Sequence, residues 1–212
     1  TNSKLFSFLH YFSYLCPRFM NEPKLMCVKR TTIYGILLLM ALTMQAQTSA
    51  KVKERVAEIR KLYADAKENM AYNDQDGYPA KTNMEVTYYY MAPGAGPIKH
   101  NIMYYVSDEE DDVGMLTGFK TYFVSDSYNS GARKIYEEYL FDLETGKLAF
   151  AYAYEENGDD TKNELRYYFY KNGKLAHKDV KVNSEWGTYF DENQAKDRAA
   201  NLQKGFGLIM EY

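Results

Sequence analysis

Asn163-Glu164-Leu165-Arg166-Tyr167-Tyr168-Phe169-Tyr170, then Lys171-Asn172-Gly173, then Lys174-Leu175-Ala176-His177-Lys178-Asp179-Val180-Lys181-Val182, is the stretch that decides the fold. Two strand-like runs flank Asn-Gly, a dipeptide that takes the left-handed conformations of a tight hairpin. The same order occurs 27 positions upstream. There Tyr139-Leu140-Phe141-Asp142 precedes Gly146-Lys147-Leu148-Ala149, as Tyr167-Tyr168-Phe169-Tyr170 precedes Gly173-Lys174-Leu175-Ala176. The unit is about one hairpin long.

Upstream of this pair the alternating pattern continues. Met84, Val86, Tyr88 and Tyr90 alternate with Glu85, Thr87 and Tyr89, and Ile98, His100, Ile102, Tyr104 and Val106 mark a second strand after Pro93–Pro97. Asp108–Asp112 reads as an acidic loop. Phe119–Asp126 and Ala132–Asp142 form the next hairpin, joined by Ser127–Gly131. About seven antiparallel strands with short links make a meander. In Lys147–Tyr154, Leu148, Phe150, Tyr152 and Tyr154 face one way and Ala149, Ala151 and Ala153 the other. Such a strip of small residues admits a closely packed helix, or floors a ligand cleft.

Helices bracket the meander. Val52, Val56, Ile59, Leu62, Tyr63, Ala66 and Met70 recur at spacings of three and four over Lys51–Met70, ending before the turn formers of Asn73–Pro79. Asp191 and Gln194 form a capping pair at the start of a second helix, with Ala195, Ala199, Leu202, Phe206 and Ile209 on its buried side. Gly205 and Gly207 predict fraying at its end. The expected fold class is α+β: the N-terminal amphipathic helix packs on the meander, and the C-terminal helix closes an edge or end.

Residues 26–50 read as a secretory signal peptide. Lys29 and Arg30 follow Met26, Gly35–Leu42 is apolar, and Gln45–Ala50 is a small, polar exit. Cleavage before Gln47 and before Lys51 both suit it. Residues 1–25 match no targeting pattern and read as an upstream segment outside the native protein, leaving 51–212 as a single α+β domain. Both cysteines, Cys16 and Cys27, precede the apolar run, so the expected mature domain has no thiol chemistry. It retains 21 basic and 28 acidic residues, a balance that disfavours nucleic acid and anionic membrane surfaces as partners. The expected location is the periplasm, the outer membrane's surroundings or the extracellular space.

An aromatic strand followed by glycine, lysine and leucine resembles the hairpin unit of MORN-type repeats in bacterial secreted proteins. With the signal ending Gln45-Ala46-Gln47, the chain resembles small exported proteins of Bacteroidota. That resemblance implies an extracytoplasmic α+β protein and carries no catalytic residues.

Catalytic chemistry finds little footing in the expected domain. There is no Gly-x-Ser-x-Gly elbow, and its two histidines, His100 and His177, lack partners at metal-ligand spacing. His100 reads as structural and His177 as solvated. Asp74, Asp76 and Gly77 match part of a calcium loop, but Tyr72 and Asn83 occupy its end positions. No cofactor, metal set or catalytic residue is singled out.

The remaining signal is 22 tyrosines. Tyr89, Tyr105, Tyr122, Tyr136, Tyr168 and Tyr170 fall opposite the more apolar strand faces. They read either as cross-strand pairs that stabilise the sheet or as a platform for a glycan or envelope-protein partner. The functional expectation is a non-enzymatic binding or structural module, with a glycan hydrolase or an envelope-protein inhibitor or assembly partner as alternatives.

Overall fold

The structure, a computed structural model, describes residues 49–70, 82–94, 96–184, 187–188 and 190–210. The upstream segment, the signal peptide up to residue 48, the turn cluster Asn73–Pro79 and the partial calcium loop lie outside these residues. Helix α1 spans residues 49–70. Seven strands follow: β1 Asn83–Ala92, β2 Gly96–Glu110, β3 Leu116–Ser130, β4 Arg133–Phe141, β5 Leu148–Glu156, β6 Lys162–Phe169 and β7 Leu175–Lys181. Helix α2 covers Glu192–Met210. The strands form one antiparallel meander in sequence order, with β1 and β7 at its edges. Among the described residues no helix is long and apolar enough to cross a membrane.

Each face of the sheet carries one helix. Val56, Ile59 and Ala66 of α1 pack with Phe123, Leu140, Phe150 and Tyr168. Ala195, Ala199 and Phe206 of α2 pack with Val124, Tyr139, Ala151, Ala153, Leu165 and Phe169. Adjacent strand residues such as Tyr139 and Leu140, or Tyr167 and Tyr168, supply opposite cores, as the two-residue period requires. The second helix therefore covers the opposite face instead of closing an edge or end. Both faces are apolar, so leaving either open would expose a core's worth of rings and methyl groups.

The link that carries the chain to that face is pinned by a buried amide. Asn163 donates to Glu155 Oε2 at 2.9 Å and to the Gly187 carbonyl at 3.1 Å, while its own oxygen accepts the Asn183 and Ser184 amides. Thr188 donates to Glu155 and Tyr167 to the Phe190 carbonyl. Asp191 then caps α2 as its spacing predicts: its Oδ1 accepts the Asn193 and Gln194 amides, and Gln194 Oε1 accepts the Asp191 amide.

The repeated hairpins share a defect as well as a sequence. Leu140 pairs with Phe150 but Phe141 with Leu148, which leaves Ala149 as an extra residue; Tyr168 pairs with His177 but Phe169 with Leu175, which leaves Ala176. The alanine of Gly-Lys-Leu-Ala is the bulged residue in both. The first bulge offsets the alternation, so Ala149 joins the α1 core and Leu148 the α2 core, while Ala151 and Ala153 alone form the strip under α2.

Other expectations change too. Asp108, Glu109 and Glu110 belong to β2, pairing with Phe119, Gly118 and Leu116. Glu109 meets Lys120 at 2.8 Å, and the turn begins at Asp111, whose Oδ1 accepts the Val113 and Met115 amides. α2 runs through Gly205 and Gly207 to Met210, anchored by Phe206 against Tyr104. Ile209 is exposed, because the helix outruns the sheet there.

Candidate functional site

Glu137 and Glu138 are neighbours on β4, point to opposite faces, and are each only 2% exposed. Burying a carboxylate demands partners. On the α2 face Glu137 accepts hydrogen bonds from Tyr139 at 2.6 Å, Tyr128 at 3.0 Å and Arg198 Nε at 2.8 Å. Arg198 also donates to Asp126 at 3.1 Å. His100 Nδ1 lies 2.9 Å from the same carboxylate, its ring stacked between Tyr88 and Tyr128. Burial raises the pKa values of Asp126 and Glu137, opposed by His100 and Arg198 at Asp126 and by Arg198 at Glu137. This cluster joins α2 to β2, β3 and β4. Neither carboxylate lines either of the clefts described next.

On the α1 face Glu138 accepts hydrogen bonds from Tyr63 at 2.5 Å and Tyr136 at 2.6 Å and is ion-paired with Lys67. Burial, reinforced by the Glu138 carboxylate, raises the pKa values of Tyr63 and Tyr136 far above the ordinary phenol value, so both stay protonated donors. Here the cluster borders open space. A cleft of about 310 Å³ lies between α1 and strands β4, β5 and β6, lined by Ile59, Arg60, Tyr63, Glu138, Phe150, Tyr152, Arg166 and Tyr168.

The cleft's walls follow from local spacing. Arg60, Tyr63 and Lys67 stand at i, i+3 and i+7, one edge of α1. Tyr152 sits opposite Glu138 on one side and Arg166 on the other, which brings acid, ring and guanidinium into one row. Arg166 lies over the Tyr152 ring at 5.0 Å and pairs with Glu164 at 2.9 Å. Beyond the cleft, Tyr136 and Tyr154 are direct cross-strand partners, and both remain half-buried.

A second cleft of about 390 Å³ lies across α1, with Leu62, Ala66, Tyr122 and Leu140 among its lining and an acidic rim that includes Glu58, Asp65 and Glu144. Asp142 at its base is occupied by the Glu144 and Thr145 amides.

The six tyrosines singled out from the sequence are dispersed. Tyr168 is in the α1 core and lines the first cleft; Tyr136, half-buried, bonds Glu138 beside it. Tyr122, 9% exposed, lies in the core near the second cleft, and Tyr105 packs against that core through Phe123. Tyr89 stands 69% exposed on the edge strand β1. Tyr170 is half-buried just beyond β6. They therefore do not form one open platform, because α1 covers the middle of the face.

Sequence reasoning missed Arg60, Tyr63, Tyr152 and Arg166. Tyr63 had been read as core on its helical period, and Tyr152 had been placed with Leu148 because the bulge at Ala149 was not visible. The cross-strand register is the signal that joins them. No protein-family model matches this chain, and the searches of curated proteins and of solved structures give no match either.

Proposed function

We propose that this protein is an exported, non-enzymatic binding module whose ligand is a glycan, held in the cleft between α1 and strands β4–β6. The observation that carries the reading is the composition of that cleft: the rings of Tyr63, Phe150, Tyr152 and Tyr168 beside the polar heads of Arg60, Arg166 and Glu138. Saccharides present apolar C–H faces and a rim of hydroxyls, so they suit rings for stacking and charged groups for hydrogen bonds. The half-buried strip of Tyr136 and Tyr154 extends the surface for a chain of more than one sugar.

The hydrolase alternative has less to rest on. Its natural carboxylate pair, Asp126 and Glu137, is buried beneath α2 and fully engaged by Arg198, His100 and two tyrosines. Isothermal titration of the full chain with neutral and acidic oligosaccharides tests the reading. Saturable binding, weakened about tenfold or more by Tyr152→Ala, is the expected result, the loss of one base-like stacking contact being worth about 1–3 kcal/mol. Binding untouched by Tyr152→Ala and by Arg60→Gln, or none across the panel, would overturn it.

A further inference from the structure

We infer that the saccharide taken by this cleft is anionic and that Arg60 is the residue that meets its charge; the inference rests on the glycan reading above and narrows it. The argument is a charge count around the cleft. Glu138 is balanced by Lys67, and Arg166 by Glu164. Arg60 is different. It is exposed at the mouth, and the residues three and four positions away on α1 are Val56, Ala57, Tyr63 and Ala64, none of them acidic. It has no ion-pair partner among the described residues, whereas Arg55, Lys67, Lys120, Lys134, Lys171 and Lys196 each have one.

The chain as a whole is net negative, so an unpaired guanidinium is a local exception. At physiological ionic strength charges more than about 8 Å away are largely screened, and the local exception governs a bound anion. A guanidinium presents a planar fork of donors that matches a carboxylate or a sulfate. With rings on the floor and walls, the matching ligand unit is a sugar that carries such a group on its ring.

The test compares matched probes on the full chain by isothermal titration: tetragalacturonate, its methyl ester, which keeps the rings and removes the charge, and a sulfated oligosaccharide of similar length. Tetragalacturonate is expected to bind about tenfold tighter than its ester, the usual worth of one charge-assisted hydrogen bond. Arg60→Gln should bring it down to the ester's affinity and leave the ester unchanged, and Arg60→Lys should restore part of the difference. Tighter binding of the sulfated probe, equally dependent on Arg60, would assign sulfate rather than carboxylate as the partner of the same site. Equal affinity for the acid and the ester, both lost in Tyr152→Ala, would overturn the inference and leave the neutral-glycan reading standing. No binding of any probe would sink both.

Discussion

Glu137 and Glu138 show how one position decides a side chain's role. The two carboxylates differ by one residue in register, and that residue sends one under α2 and the other to the edge of an open cleft. Glu137 is sealed beside Arg198, and removing it leaves the Tyr139 hydroxyl and the guanidinium without their acceptor. Glu137→Ala should therefore destabilise the fold by about 3–5 kcal/mol, the usual cost of breaking a buried pair, as read from the urea midpoint. Its pH dependence has a definite sign. Burial lifts the folded Glu137 carboxyl above the ordinary value of 4.5, against the pull of Arg198, so the folded state holds that proton more tightly than the unfolded chain. The group's contribution is then largest below pH 4.5 and declines as pH rises through the folded value. Relative to Glu137→Gln, which cannot titrate, the native protein should lose stability over that rise; a difference that grows with pH instead would reverse the assignment.

Between elements, the contact of α2 with the sheet depends on small side chains. Ala195 and Ala199 meet the strip of Ala151 and Ala153, and no larger residue fits at that separation without moving the helix. Ala199→Leu should cost about 1–3 kcal/mol by overpacking, although leucine is nearly as good a helix former as alanine. The exposed neighbour, Ala200→Leu, should change stability by no more than about 0.5 kcal/mol. Equal thermal shifts in the two variants would show that α2 does not pack as closely as described. The alanine strip was legible in the sequence as a site for a helix. That only two of its three members serve α2 was not, because the bulge at Ala149 depends on how β4 and β5 pair and not on either strand alone.

For the molecule as a whole, tyrosine joins the sheet to both helices. Tyr63 and Tyr136 hold Glu138, Tyr128 and Tyr139 hold Glu137, and Tyr104 packs beneath Phe206. Burial, with Asp126 nearby, pushes the Tyr104 hydroxyl up to about 12. A phenol whose folded pKa is raised stabilises the fold fully below its unfolded value near 10, and the contribution is lost as pH climbs from there through about 12. Tyrosinate absorbance and far-ultraviolet circular dichroism should therefore show a late class of tyrosines ionising together with cooperative unfolding. Smooth, independent titration with the helices intact would contradict this. The strands, their order and both helices were legible in the sequence, because side-chain period, turn residues and capping pairs are local properties. So was the concentration of tyrosine on one face. Which tyrosines stay open, where α2 docks, and how Arg60 and Tyr63 come to stand over Tyr152 and Arg166 were decided only by the tertiary structure. Those relations join residues about a hundred positions apart, and they follow from cross-strand register, bulges and the need to cover both apolar faces, none of which is a property of any one segment.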